Sequence, residues 1–188
     1  MAYKNNKPTI KDWFRAAWQA VAHGKEDALI TAAKSGHTDT VLQRLDRDAS
    51  IHSKDDLTYA LQLAANTGDT ALINYMLDNG ADMHANGERA LSIAADNGHT
   101  EIVKIFIDRG ADIHANDDFT LRVAAERGHT DTVQLLLDRG ADIHAKDGLA
   151  MMLAAQQGHT ETVELLKRHL AKESAQHEHK PPTPPPGM

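Results

Sequence analysis

The sequence has 188 residues, of which 41% are hydrophobic and 25% charged, a composition that indicates one folded domain and excludes wholesale disorder. The 20 Lys and Arg residues against 27 Asp and Glu residues give a formal net charge of −7, which argues against electrostatic binding of nucleic acid or an anionic membrane. The absence of cysteine excludes disulfides, thiolate nucleophiles and zinc–thiolate sites.

The N-terminal segment 1–25 is predicted to form a capping helix. Its apolar residues share one helical face: Trp13, Phe14, Ala17, Trp18 and Val21. Charged residues at Lys11, Asp12 and Arg15 interrupt any secretory-signal pattern, and no stretch reaches the roughly 18 apolar residues of a membrane span. We therefore expect a cytoplasmic protein. The missing secretory signal does not exclude export into a host cell as an effector.

Three motifs recur in register along the middle of the chain. Gly-His-Thr begins at Gly36, Gly98, Gly128 and Gly158, and Gly68-Asp69-Thr70 is a variant of it. An Ala-Ala pair stands four and three residues before each of these glycines. Gly-Ala-Asp-(Met/Ile)-His begins at Gly80, Gly110 and Gly140, so this motif repeats every 30 residues.

Each repeat predicts two short helices. Leu91, Ala94 and Ala95 have the spacing of one helical face, and Gly98 is placed to end that helix in a left-handed conformation. Thr100 is predicted to be the N-cap of the second helix, with Glu101 at the positive end of its dipole. Helices of this length are marginal alone, so neighbouring repeats must stack to bury an aliphatic core.

Together these motifs resemble the ankyrin repeat. The resemblance covers residues 26–172 in five repeats and implies an all-α ankyrin-repeat solenoid of stacked helix-turn-helix units. The usual repeat has about 33 residues. Because this one has 30, we expect the family's β-hairpin to be shortened to a tight loop, with Asn86, Asp117 and Asp147 as its turn residues.

The 12 histidines suggest metal binding at first sight. Two sets recur at repeat-equivalent positions: His52, His84, His114 and His144, and His37, His99, His129 and His159. Stacked elements lie roughly 8–10 Å apart. One imidazole per repeat therefore gives separate side chains and not a converging ligand set. We predict no metal and no cofactor, and the resemblance implies that the Gly-His-Thr histidines bind backbone groups. Metal binding through these histidine ladders remains an alternative that elemental analysis tests.

The sequence predicts no enzyme. It contains no Gly-x-Ser-x-Gly, no phosphate-binding glycine-rich loop and no His-Glu-x-x-His. The acidic residues recur at equivalent positions, as Asp82, Asp112 and Asp142 do, whereas catalysis needs one asymmetric cluster. We interpret these aspartates as turn residues.

The resemblance implies a non-enzymatic protein–protein interaction scaffold that binds its partner through the concave face of loops and first helices. Residues 28–166 carry 11 basic and 22 acidic side chains, which favours a basic protein partner. The predicted contact residues are those that vary between repeats: Tyr59, Asn66, Glu88, Asp96, Asp118, Phe119, Arg122, Glu126, Arg127, Met152 and Gln156. Alternatively, Tyr59 and Phe119 fill gaps left by the shortened loops.

The C-terminal segment 173–188 is predicted to be a disordered, proline-rich tail, since it ends in Lys-Pro-Pro-Thr-Pro-Pro-Pro-Gly-Met. We expect a monomer. An alternative function is that of an antidote or inhibitor that masks a toxin or another enzyme. Co-purification distinguishes the two, because an inhibitor brings down one stoichiometric partner and silences its activity.

Overall fold

The computed structural model describes residues 54–178, which fold into helices joined by short loops. No strand occurs in this part of the chain. The predicted capping helix 1–25 and the first repeat lie outside the described residues. The helices are α1 Lys54–Thr67, α2 Thr70–Asp78, α3 Ala85–Asp96, α4 Thr100–Asp108, α5 Ala115–Glu126, α6 Thr130–Asp138, α7 Ala145–Gln156 and α8 Thr160–Glu178.

The chain divides into two compact units, Met1–Ala85 and Asn86–Met188. In the first unit, α1 packs against α2 around Leu61, Ile73 and Met76, all fully buried. Asp69 begins α2 as its N-cap, because its Oδ1 accepts a hydrogen bond from the Leu72 amide at 3.0 Å. In the described part of this unit, α1 and α2 thus form a helical hairpin.

The second unit contains three consecutive hairpins, α3–α4, α5–α6 and α7–α8. Helix α5 packs beside α7, and α6 lies between α4 and α8. The pairing is that of stacked helix-turn-helix units, so the predicted all-α fold is confirmed. The core is aliphatic with one aromatic ring, as the composition predicts: Leu91, Ala94, Ile102, Val103, Phe106, Leu121, Ala124, Val133, Leu136, Ala154 and Leu166 are all buried.

The loop before each first helix is a left-handed turn of three residues. In α3 these are Asn86, Gly87 and Glu88, with φ of 54°, 63° and 60°. Residues 116–118 and 146–148 repeat the same conformation at the start of α5 and α7. Asn, Asp and Gly tolerate this region better than other residues do. The predicted shortening of the hairpin to a tight loop is therefore confirmed in the second unit.

In the second unit the glycine of Gly-His-Thr ends each first helix, and the histidine of the following repeat covers Gly98 and Gly128. A Cβ built on Gly128, where φ is 72°, would lie 2.4 Å from Nδ1 of His159. At Gly98 the same construction meets Nδ1 of His129 at 2.6 Å. At Gly158 no atom lies within 4 Å. Glycine is thus required for its backbone conformation in all three cases, and for close packing in two.

The prediction that Thr100 is an N-cap is wrong. Helix α4 begins at Thr100 itself, and the N-cap position falls on His99, which makes no side-chain capping hydrogen bond. The Thr100 hydroxyl instead hydrogen-bonds the hydroxyl of Thr132 in the next repeat at 2.8 Å. The pair Thr130–Thr162 repeats this contact at 2.9 Å. The recurring threonine therefore links repeats.

The last helix extends further than predicted. Helix α8 runs to Glu178, so residues 173–178 are helical and the prediction that they belong to a disordered tail is wrong. The physical reason is that Ala171–Glu178 contains neither Gly nor Pro, and Pro181 is the first residue able to stop a helix. Residues 179–188 lie outside the described part, and their disorder stays a prediction.

Candidate partner-binding surface

The exposed apolar residues of the second unit lie on its first helices. Phe119 on α5 is 43% exposed and Met152 on α7 is 60% exposed. They are the exposed large hydrophobic side chains among the residues of the second unit whose side chains the structure describes. Helices α5 and α7 pack side by side, and we call the exposed side of the first helices that carries Phe119 and Met152 the first-helix face. It also carries the three left-handed loops.

Arg122 lies beside Phe119 on the same helix. Its guanidinium carbon is 5.3 Å from the centroid of the Phe119 ring, which is the geometry of a cation–π contact. Its Nη2 also donates a hydrogen bond to the Asn116 carbonyl at 2.8 Å. The side chain is thereby held over the ring. An aromatic and an arginine fixed in this way resemble the composition of interface hot spots.

Two of the predicted contact residues are not on the surface. Glu88 is 3% exposed and Asp118 is 4% exposed. Glu88 Oε1 accepts a hydrogen bond from the Asp112 amide at 3.0 Å, and Asp118 Oδ1 accepts one from the Asp142 amide at 2.8 Å. Both carboxylates tie the start of a first helix to the loop that follows the second helix. Their inclusion among the contact residues was therefore wrong.

This role had a sequence signal that we missed. Thr58, Glu88 and Asp118 stand at 30-residue intervals, and each is followed 24 residues later by the aspartate of Gly-Ala-Asp. Thr58 Oγ1 accepts a hydrogen bond from the Asp82 amide at 2.8 Å in the first unit. A polar side chain that recurs with the repeat period indicates a structural contact, even where its chemical type changes.

Asp96 and Arg127 pair with each other across adjacent repeats. Arg127 Nε donates to Asp96 Oδ1 at 2.7 Å. This hydrogen bond and the charge of Asp96 raise the pKa of the Arg127 guanidinium. Each residue is therefore already engaged by the other, and a partner has to compete with the pair for either group.

A second pair joins the loops, and it is absent from the predicted contact residues. Lys146 Nζ lies 2.8 Å from Asp117 Oδ2. The hydrogen bond from Lys146 and its positive charge lower the pKa of Asp117, with a smaller contribution from Arg122. Residues 117 and 146 are 29 positions apart, close to the repeat length. Two opposite charges at this spacing are the sequence signal that could have predicted an ion pair between adjacent loops.

The remaining predicted contact residues have different settings. Glu126 is half-buried at the end of α5, and Gln156 is exposed at the end of α7. Asn66 is half-buried on α1 of the first unit. Tyr59 lies on the same helix, and its side chain is outside the described part of the structure. On the second unit, Phe119, Met152 and Gln156 thus remain as candidate contacts with exposed side chains. Arg122 joins them as a half-buried side chain that Phe119 and Asn116 hold in place.

Two Gly-His-Thr histidines of the second unit, His129 and His159, contact backbone groups, as the resemblance implies. His129 Nε2 lies 3.0 Å from the Asp96 carbonyl oxygen, and His159 Nε2 lies 2.9 Å from that of Glu126. Each imidazole hydrogen-bonds a backbone carbonyl at the C-terminal end of the first helix in the preceding repeat, where the helix itself supplies no partner. Among residues 54–178, no group of three or more His, Asp or Glu side chains is arranged to hold a metal ion.

The turn role of the repeated aspartates is also confirmed. Asp82, Asp112 and Asp142 each accept a hydrogen bond on Oδ1 from the amide two residues later, at 3.0, 2.9 and 2.8 Å.

No helix in the described part of the chain has the length and apolar character needed to cross a membrane.

Comparison with known proteins identifies the family. The model of ankyrin repeats matches the chain in three copies, at residues 29–117, 57–147 and 121–180. No curated protein matches the chain significantly. Ankyrin repeats are generally protein–protein interaction modules and typically non-enzymatic scaffolds. The match spans most of the sequence, and the structure shows the stacked helical hairpins of such repeats. The chain therefore belongs to the ankyrin repeat family.

Proposed function

We propose that this chain is a non-enzymatic scaffold that binds a basic protein partner through the first-helix face. The observation that supports this most is the exposure of Phe119 and Met152 on adjacent first helices. Moving such side chains out of water and into an interface is favourable and supplies a large part of the free energy of association. Arg122, stacked on Phe119, adds a polar anchor to the same place.

The charge of the chain supports a basic partner. The formal net charge is −7, and residues 28–166 carry twice as many acidic as basic side chains. A long-range negative potential accelerates the encounter with a positive surface and makes the association rate sensitive to salt. In this proposal the apolar residues supply affinity, and the net charge supplies the association rate.

The test begins with affinity purification and mass spectrometry, followed by binding measurements on the purified pair. Phe119→Ala with Met152→Ala is expected to weaken binding by about 2 kcal/mol, or roughly thirtyfold. Glu101→Ala with Lys104→Ala, two exposed changes on the second helix α4 that together leave the net charge unchanged, is the control and should leave the dissociation constant within about twofold. Equal affinity of both double variants for the partner would contradict the proposed face.

Salt dependence tests the electrostatic part separately. We expect the association rate constant to fall by at least about tenfold between low and high ionic strength, while the dissociation rate changes little. An association rate that is independent of salt rules out a basic partner surface but leaves the first-helix face intact.

An inhibitor or antidote function is the alternative, and one added measurement decides it. If the purified partner is an enzyme, its activity is assayed with and without a stoichiometric amount of this chain. Complete loss of activity supports the inhibitor, and retained activity supports the scaffold.

A further inference from the structure

The dipeptide Asn-Gly occurs three times in the described residues, at Asn79-Gly80, Asn86-Gly87 and Asn97-Gly98. In this dipeptide the glycine amide nitrogen can attack the asparagine side-chain carbonyl, because no side chain on glycine obstructs the approach. The reaction requires that the carboxamide and the glycine N–H are both free to move. The three sites differ in this respect.

Both reacting groups are held at Asn97. Its Nδ2 donates a hydrogen bond to the Ile93 carbonyl at 2.8 Å, and the Gly98 amide donates to the Ala95 carbonyl at 3.2 Å. Gly98 is also covered by the ring of His129. Attack at this site requires both hydrogen bonds to break and the helix end to open.

Asn79 is held in the same way. Its Nδ2 donates to the Tyr75 carbonyl at 2.9 Å, and the Gly80 amide donates to the Leu77 carbonyl at 3.2 Å. The side chain is exposed, as those of Asn86 and Asn97 are, so exposure does not separate the three sites. The difference between them lies in hydrogen bonding.

Asn86 lies in the left-handed loop that begins α3. Among the described residues, no hydrogen bond is formed by its carboxamide or by the Gly87 N–H. The Gly87 carbonyl does accept a hydrogen bond from Asn116 Nδ2 at 3.1 Å, which fixes the peptide that follows Gly87 and not the one that reacts. This site therefore combines the reactive dipeptide with reacting groups that form no hydrogen bond. Asn116 covers Gly87 as His129 covers Gly98, with its Nδ2 2.7 Å from a Cβ built on Gly87, so steric cover does not separate these two sites.

We propose that Asn86-Gly87 is a site of spontaneous deamidation in the folded protein. The Gly87 nitrogen loses its proton to solvent and forms a bond to Cγ of Asn86. Nδ2 takes up a proton from solvent, the Cγ–Nδ2 bond breaks, and ammonia leaves. The resulting succinimide is then hydrolysed by water at one of its two carbonyls, which gives aspartate or isoaspartate. No oxidant, metal or enzyme takes part, and the inference is independent of the proposed function.

The two products have different consequences for the fold. Aspartate adds one negative charge to an exposed loop and leaves the backbone length unchanged. Isoaspartate inserts a methylene group into the backbone two residues before Glu88, whose carboxylate holds the Asp112 amide at 3.0 Å. We expect the isoaspartate form to disturb this contact and to be the less stable of the two.

The experiment ages the full-length native protein at mildly alkaline pH and follows each Asn-Gly site by peptide mapping and mass spectrometry. Native Asn86 is expected to deamidate at least about tenfold faster than Asn79 or Asn97, because each of those sites is protected by two hydrogen bonds. The same protein unfolded in urea is the internal control, in which the three rates should agree within about threefold. The proposal is overturned if the deamidation rate of Asn86 relative to Asn79 and Asn97 is about the same in the native as in the unfolded protein. It is also overturned if Asn79 or Asn97 reacts faster than Asn86 in the native protein.

Two variants complete the test. Asn86→Gln lengthens the side chain, so the five-membered ring cannot form, and the early charge variant seen on ion exchange should disappear. Asn86→Asp supplies the aspartate product directly and should melt at the same temperature as the unaged protein, whereas the isolated isoaspartate form should melt lower. If the early charge variant persists in Asn86→Gln, it arises elsewhere and the assignment to Asn86 is wrong.

Discussion

The fourth repeat (115–144) and the fifth repeat (145–178) carry the same motifs, but only the fourth has another repeat packed on both sides. Ala125 in the fourth is fully buried, whereas its counterpart Ala155 is exposed. Gly128 is covered by His159, whereas no atom lies within 4 Å of a Cβ at Gly158. Equivalent residues thus gain their contacts from the repeat that follows, which is the expected behaviour of a quasi-one-dimensional fold.

The largest expected effect separates the two alanines. Ala125→Asp buries an unpaired charge between α5 and α7 and should destabilise the second unit by about 4 kcal/mol or more. Ala155→Asp is the matched control and should cost about 0.5 kcal/mol through helix propensity alone. Urea denaturation measures both. Similar midpoints for the two variants would mean that the fifth repeat is covered in solution by something else.

The two glycines give the next largest difference. Gly128→Ala and Gly158→Ala both place a side chain at positive φ, which costs about 1–2 kcal/mol. Only Gly128→Ala also displaces the His159 ring, which adds about 1–3 kcal/mol of overpacking. The melting temperature of Gly128→Ala should therefore be the lower of the two. Equal melting temperatures would show that the imidazole moves aside without cost.

The threonines give a smaller difference. The hydroxyls of Thr130 and Thr160 each lie 3.5 Å from a glycine carbonyl in their own repeat, but only Thr130 also contacts a threonine hydroxyl of the next repeat, at 2.9 Å. Thr130→Val should cost about 1 kcal/mol and Thr160→Val less than about 0.5 kcal/mol, as measured by chemical denaturation. A larger loss at Thr160 would contradict the assignment of this threonine to contacts between repeats.

The fold was predictable because its determinants are local and repeated. The 3.6-residue spacing of Leu91, Ala94 and Ala95 and the glycine at Gly98 are sufficient to place a helix and its end. The 30-residue period then predicts the stack. The role of Thr100 was mispredicted because an N-cap and a contact to the next repeat have the same sequence signature, and only the three-dimensional pairing with Thr132 separates them.

The candidate surface was predictable only in part. Exposure at Phe119 and Met152 agrees with the prediction, since both break the repeat pattern at first-helix positions. Glu88 and Asp118 also break the pattern in chemical type, yet they are buried, because a carboxylate and a hydroxyl can accept the same backbone hydrogen bond. Variation between repeats therefore does not by itself distinguish a binding residue from a structural one.

The smallest expected effect concerns the exposed pair of Asp117 and Lys146, which joins the fourth repeat to the fifth. Lys146→Met should raise the pKa of the Asp117 carboxyl, because the hydrogen bond and charge that lower it are removed. The pKa is lowered in the folded state, so the stabilisation from this pair is present above the unfolded-state pKa and is lost as the pH falls through the folded-state pKa. Carboxyl NMR titration measures the change directly.

Lys167→Met is the matched control, because it removes the same charge from an exposed position on α8. We expect the pKa of Asp117 to stay almost unchanged in this variant, and the acid limb of the stability curve to shift only with Lys146→Met. The shift in stability should be slight, since exposed ion pairs are screened by solvent. An equal pKa change in both variants would mean that Asp117 responds to net charge alone, and that the contact between the fourth and fifth repeats at this loop does not persist in solution.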